Sequence, residues 1–253
     1  KALARGDVPA CVFRDSYPVA DCDGLIDRFI SQGLIEDPTS WDPDKGRKRI
    51  DIGTSLGMRG GNREAFLEHS AETHTLFETL FDGYVDPVKT IYDALQALAP
   101  DKRVVTACEP DGRAYGPAIF RIHYEGHRYQ PHIDHVTLRE HRFDYAVTRF
   151  DHQLAGVLVM RNTTLDERAT QSILHRCLWN PNVKPYIQAD RFYDLAEARR
   201  IERCRVDMRP GDLYFFNTQI IHEVPALEGD DARVVLAVFI GYSEDVHEIV
   251  VWS

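Results

Sequence analysis

The feature that most constrains how this chain can fold is the pair His132 and Asp134, two residues apart, with His222 ninety residues further on. Side chains at i and i+2 of a β-strand leave the same face. One imidazole nitrogen and one carboxylate oxygen from residues 132–134 can therefore meet a single metal ion, with His222 as the third ligand. Two imidazoles and one carboxylate on one side of an octahedron leave three positions open. The strand reading rests on punctuation. Residues 121–132 read as a strand, a glycine turn at Gly126 and a second strand opening on the ligands. Residues 209–222 read as a turn at Pro210 and Gly211, a hydrophobic strand, a short break and another strand. Arg233, eleven residues past His222, opens the apolar run 234–240.

The chain changes period near residue 103. Ahead of it the spacing is helical: Asp23 can cap a helix carrying Leu25, Ile26, Phe29 and Ile30. Helices are also expected over 63–81 and, after a break ending in Pro87, over 87–98. His69 and His74 fall in this part and are read as packed or solvated residues rather than ligands. Beyond it, strands are expected at 104–108, 118–124, 153–159, 173–179, 204–208, 213–217 and 233–242. The expected architecture is α+β: a barrel-like β core at 101–253, with the mainly helical 1–100 packed on the outer face of its larger sheet, all within a single domain spanning 1–253.

Composition narrows the partners. A chain of 253 residues with 43% hydrophobic content can bury a full core. A net charge of −10 argues against a nucleic-acid groove, which needs a concentrated basic face. The five cysteines, at 11, 22, 108, 177 and 204, lack C-x-x-C spacing and are odd in number, so reduced thiols are expected rather than a zinc knuckle or a disulfide framework. With no run of about 18 apolar residues and no positive-then-apolar leader, a soluble cytoplasmic protein without a membrane partner is expected. The chain opens on Lys1 rather than methionine, which leaves room for residues ahead of it.

In combination, the ligand pair, the Pro-Gly-Asp turn, the distal histidine and the following arginine resemble the Fe(II)/2-oxoglutarate-dependent oxygenases over about residues 116–243. The resemblance implies a double-stranded β-helix core (jelly-roll, cupin-like), with iron(II) on His132, Asp134 and His222. It assigns the distal carboxylate of 2-oxoglutarate to Arg233, a role suited to a guanidinium, which grips a carboxylate through two parallel hydrogen bonds. It further implies that O₂ and 2-oxoglutarate are consumed to hydroxylate an unactivated C–H bond. A looser likeness to the free-standing small-molecule halogenases of the same superfamily suggests an amino acid, an amino-acid derivative or a specialised metabolite as substrate. Those halogenases carry glycine or alanine where Asp134 stands, so the retained carboxylate favours hydroxylation.

Around the motif, Tyr124 and Tyr129 are expected in the pocket, and Asn217 is placed to orient 2-oxoglutarate. His135 would point to the opposite face from the ligands. His123 and His127 stand where they could polarise substrate. Segments 136–151 and 163–203 are longer than a minimal barrel needs, the second with an expected helix over 190–203; such loops often contact substrate. Arg139, His141, Arg142 and Arg149 in the first would suit a carboxylate on the substrate. Two other readings stand beside this one: a cupin-like metal protein that is not an oxygenase, which would have no need of Arg233, and a hydroxylase of proteins or peptides. Oligomeric state is not encoded in any of these features.

Overall fold

The computed structural model describes residues 1–36, 48–162, 164–165, 168–229 and 231–253. Helices dominate the first hundred residues: α1 (Ala2–Arg5), α2 (Val19–Ser31), α3 (Leu56–Arg59), α4 (Arg63–Leu80) and α5 (Pro87–Leu98). The Asp86 carboxylate accepts from the amides of Val88 and Lys89 at 2.8 and 3.0 Å, and Pro87 fills the first helical position, so α5 begins where its sequence dictates. Asp23 does not cap α2. The helix starts one turn earlier behind Pro18, whose missing N–H costs nothing there, and buries Cys22, Leu25, Ile26 and Phe29 along one face. None of the helices among the described residues is long and apolar enough to cross a membrane.

The strands are β1 (Cys11–Phe13), β2 (Ile50–Ile52), β3 (Arg103–Thr106), β4 (Ile119–His123), β5 (Tyr129–His132), β6 (His152–Arg161), β7 (Thr164–Leu165), β8 (Arg168–Ala169), β9 (Ser172–Leu178), β10 (Arg203–Val206), β11 (Leu213–Asn217), β12 (Ile220–Val224), β13 (Arg233–Tyr242) and β14 (Glu248–Trp252). The larger sheet runs β1-β11-β6-β13-β14-β3. Along its other edge β13 pairs first with β4 and then with β14, and β2 extends the sheet beyond β4. The smaller sheet runs β10-β9-β12-β5. This is the jelly-roll core the motif called for. The N-terminal hundred residues are not purely helical support, however, because they also supply β1 and β2 to the larger sheet.

Alternation sorts the larger sheet into two faces. Phe120, Ile122, Phe215, Val234 and Leu236 pack outward with Leu25, Phe29, Phe77, Leu80, Ile91 and Leu95 of the helices. Ala155, Val157, Val159, Tyr214, Phe216 and Val235 face inward with Leu174 of the smaller sheet. The functional pocket opens on this inward side.

In place of the helix expected over 190–203 are α6 (Lys184–Gln188) and α7 (Phe192–Ala198). Arg200 takes a left-handed φ of 53°, and the chain then extends so that Arg203 can pair with His175 across β10 and β9. This insertion covers the outer face of the smaller sheet: Val183, Phe192 and Leu195 pack on Ile133 and Ile221. Thr163, at its start, lies outside the described residues.

Candidate metal centre

Strands β5 and β12 are antiparallel neighbours, with His132 and His222 directly opposite each other and their ring centres 4.3 Å apart. Asp134 lies just past the end of β5 rather than within a strand. Two hydrogen bonds hold its backbone: its amide donates to the Thr218 carbonyl (3.1 Å), and its carbonyl accepts from the Gln153 side chain (3.3 Å). The carboxylate reaches back to the two rings, Oδ2 standing 3.8 Å from His132 Nε2 and 3.4 Å from His222 Nε2. One donor atom from each of the three lies within 4.8 Å of the others.

Both rings are fixed by a carbonyl two residues earlier. His132 Nδ1 is 2.6 Å from the Gln130 oxygen and His222 Nδ1 is 2.8 Å from that of Ile220. A carbonyl can only accept, so Nδ1 carries the proton and Nε2 keeps its lone pair facing Asp134. Burial, aided by the neighbouring His222, pushes His132 down to about 3, so the ring is neutral at physiological pH. Burial opposes ionisation of Asp134. The polar neighbourhood of the two imidazoles and the charge of Arg139 outweigh it and hold the carboxyl below its usual range. Arg139 donates to Asp134 Oδ1 and, at 2.8 Å, to the Ile133 carbonyl.

Arg233 opens β13 opposite His123 of β4 and is 5% exposed. Its Nε has no hydrogen-bond partner among the described residues. Burial lowers its pKa, and the nearby Tyr214 and Tyr129 work the other way. A sequestered guanidinium with an unmet donor is a site for an anion. Beside it, the Tyr129 hydroxyl accepts from Arg49 Nη1 at 2.6 Å, which leaves its proton for His123 Nε2 at 3.0 Å. His123 stacks on His127 with ring centres 4.5 Å apart, and burial together with Arg233 depresses its pKa. Arg233, Tyr129, Arg49 and His123 line a cavity of about 240 Å³ that also holds the three donor residues.

Two expected site residues lie elsewhere. Tyr124 follows the inward-facing His123 and so turns to the opposite side, into the core between sheet and helices. Asn217 is buried outside the cavity; its side chain donates to the Ala4 carbonyl (2.6 Å) and accepts from the Gln219 amide (2.8 Å), fastening the β11–β12 turn to α1. His135 is not part of the cluster, and its Nδ1 accepts from the Thr137 amide at 3.2 Å; against the expected opposite face, the residue lines the cavity. Of the two long segments, 136–151 lines the cavity through Val136, Arg139, Glu140 and Arg142; the second reaches it only through Ser172 and Leu174 of β9, and its helices stay on the far side of the smaller sheet. Glu223, one residue after His222, serves that far side by bonding His175 (2.9 Å) and Tyr193 of α7 (2.5 Å). Sequence reasoning missed Tyr214, Gln153 and Arg121. For Tyr214 and Arg121 the alternation of β11 and β4 was a usable signal, while Gln153 offered none.

The jelly roll and its two-histidine, one-carboxylate cluster are the core that iron- and 2-oxoglutarate-dependent oxygenases are built on. The profile of the family described as carrier-protein-independent halogenase WelO5 matches residues 1–253, and the chain belongs to that family. A search of curated proteins gives no match. Among solved structures, an N-substituted L-amino acid dioxygenase from Burkholderia ambifaria superimposes with a TM-score of 0.63 at 14% identity, covering 100% of this chain and 89% of its own. The epimerase SnoN from nogalamycin biosynthesis gives 0.52 at 12% identity, covering 97% and 82%. HygX from Streptomyces hygroscopicus, solved with nickel and 2-oxoglutarate, gives 0.51 at 11% identity, covering 95% and 86%. At these identities the likeness concerns the fold.

Proposed function

We propose that the protein hydroxylates an unactivated C–H bond of a small molecule, with His132, Asp134 and His222 holding iron(II) and Arg233 holding the distal carboxylate of 2-oxoglutarate. The observation that carries this reading is the retained carboxylate of Asp134, within 4 Å of both Nε2 atoms. Two imidazole nitrogens and one carboxylate oxygen on one side are a donor set suited to iron(II) with open positions. Iron, 2-oxoglutarate and O₂ supply the oxidising chemistry; the chain supplies position and shelter. The Gln130 and Ile220 carbonyls keep both lone pairs directed inward, and Arg139 holds the outer oxygen of Asp134. Val157, Leu174 and Phe216 wall the cavity with apolar surface, which limits water around the reacting atoms.

The family carries the name of halogenases, and Asp134 is where this chain departs from that chemistry. A carboxylate occupying the position leaves no vacancy for chloride, so the product we propose is an alcohol. Amino acids, their derivatives and specialised metabolites are the substrates to try first. The test is aerobic turnover of the iron-loaded protein with 2-oxoglutarate in high chloride, on a substrate that is demonstrably consumed, with products resolved by mass spectrometry. A gain of one oxygen atom with stoichiometric succinate is expected. A chlorinated major product would overturn the reading. Peptide substrates run in parallel separate a protein hydroxylase, which only the peptide panel would feed.

A further inference from the structure

A chain with a net charge of −10 lines its pocket, among the described residues, with five arginines but only two acidic side chains, Asp134 and Glu140. Most of this positive charge is committed. Arg139 holds Asp134, and Arg142 donates to the Leu56 and Gly57 carbonyls at 3.1 and 2.9 Å. Arg49 grips both oxygens of Asp51 at 2.8 Å. Arg233 is assigned to 2-oxoglutarate above. That leaves Arg121, whose guanidinium has no hydrogen bond or ion pair to any described residue and whose Nε is buried without a partner. Asp51 is its cross-strand neighbour on β2 but is occupied by Arg49.

Arg121 shares the inward face of β4 with His123 and stands opposite Val235, near enough for its charge to act on Arg233, while its guanidinium lies beside Phe239. The guanidinium carbon lies 5.8 Å from the centre of the Phe239 ring. Phe239 follows Arg233 by six residues on β13, about 20 Å of extended strand at roughly 3.3 Å per residue. Across from Phe239, on β14, stands Trp252, with ring centres 6.1 Å apart; it is 1% exposed, and its indole Nε1 is a second buried donor with no partner. All three side chains line the pocket. Buried donors of this kind are unfavourable unless a ligand meets them.

We propose that Arg121 is the substrate anchor: it receives a carboxylate of the substrate, whose apolar or aromatic body lies against Phe239 and Trp252. This rests on Arg233 being the 2-oxoglutarate anchor, and it deepens that reading by naming the substrate class, a small arylalkyl or alkyl carboxylic acid. A planar guanidinium suits a carboxylate through paired hydrogen bonds, and a cavity lined by one sign of charge concentrates the opposite sign.

The test is titration calorimetry on the full chain loaded with iron(II) and 2-oxoglutarate under argon, using 3-phenylpropionate and its uncharged methyl ester as probes. Wild type should bind the acid about tenfold or more tightly than the ester, the ratio expected from hydrogen bonds to a charged group. Arg121→Gln should erase that preference while the 2-oxoglutarate affinity changes less than about threefold. Arg121→Lys, which keeps the charge but loses the fork, should retain part of it. Equal binding of acid and ester by wild type overturns the proposal, as does no binding of either at millimolar concentration. Loss of 2-oxoglutarate binding in Arg121→Gln would also overturn it and assign Arg121 to the co-substrate. The two readings fail separately: an unchanged 2-oxoglutarate affinity in Arg233→Ala sinks the Arg233 assignment, whereas the acid-over-ester preference reports on Arg121 alone.

Discussion

Asp134 is oriented from two sides, by the histidine rings at one oxygen and by Arg139 at the other. Partners of this kind set the direction of a ligating oxygen, and their removal commonly costs ten- to a hundredfold in metal affinity. Because the Arg139 side chain is 42% exposed, the low end applies: Arg139→Gln should weaken iron(II) binding about tenfold with the fold intact, as metal titration would measure. Unchanged affinity would reduce Arg139 to a surface contact. Arg233 makes a different demand, since its donors face the cavity with no protein partner at Nε. Arg233→Ala should weaken 2-oxoglutarate binding by about 1.5–3 kcal/mol, the scale of a hydrogen bond to a charged group, with substrate affinity changing much less. Calorimetry with 2-oxoglutarate checks this, and an unchanged affinity would move the anchor elsewhere. The donor cluster was legible because its residue types and order carry the chemistry. Tyr124 and Asn217 were misplaced because adjacency to a motif says nothing of facing: a one-residue step along a strand turns a side chain to the other side of the sheet.

The turn that feeds β11 shows how an element's boundary is enforced. Gly211 has φ 88°, and a Cβ there would stand 2.4 Å from the Tyr17 carbonyl oxygen, so the position requires glycine. Asp212 then gathers the neighbourhood: its carboxylate accepts from the Arg209 amide (2.9 Å), the Asp15 amide (3.0 Å) and Arg14 (2.6 Å). Burial disfavours its charge, but these donors prevail and its pKa is lowered. A carboxyl whose folded-state pKa lies below its unfolded value of about 3.9 stabilises the fold above that pH and loses the contribution as pH falls through the folded value. Asp212→Asn should therefore cost about 1–3 kcal/mol at pH 7, with the gap to wild type closing below about pH 4. Urea unfolding at several pH values measures it, and a gap independent of pH would remove the carboxylate's charge from the account. Strands β11 and β13 could be read from sequence to the residue, since a glycine turn and an arginine mark where their apolar runs begin. Strands β1 and β2 are three residues each, too short to show a period, and β3 is the parallel partner of β14 about 145 residues away, which no local pattern announces.

At the scale of the molecule the net charge was legible and its distribution was not, because the arginines of the pocket come from β4, β13, the residue ahead of β2 and the segment after the ligand pair. The helical layer has the same character: period reveals the helices, but only the sheet reveals what they cover. Phe120 is where the two meet. It is fully buried on the outer face of β4, with ring centres 4.8 Å from Phe29 of α2, 6.0 Å from Phe77 of α4 and 6.2 Å from Phe81. Its neighbours Ile119 and Arg121 line the pocket on the inner face, so the same strand serves both layers. We propose that residues 1–253 unfold as one cooperative unit, with the helices as the outer half of a shared core. Phe120→Ala should then cost about 3–5 kcal/mol, the range for an aromatic truncated in a packed core, and lower Tm by roughly 6–20 °C for a chain of this length. The helical signal in circular dichroism and the tryptophan fluorescence should fall in one shared transition. Since the ring points away from the pocket, iron(II) affinity of the folded variant should stay within about twofold of wild type. Two separated transitions would divide the helices from the barrel. Lost iron binding in a folded variant would show that the outer layer shapes the metal cluster as well as covering the sheet.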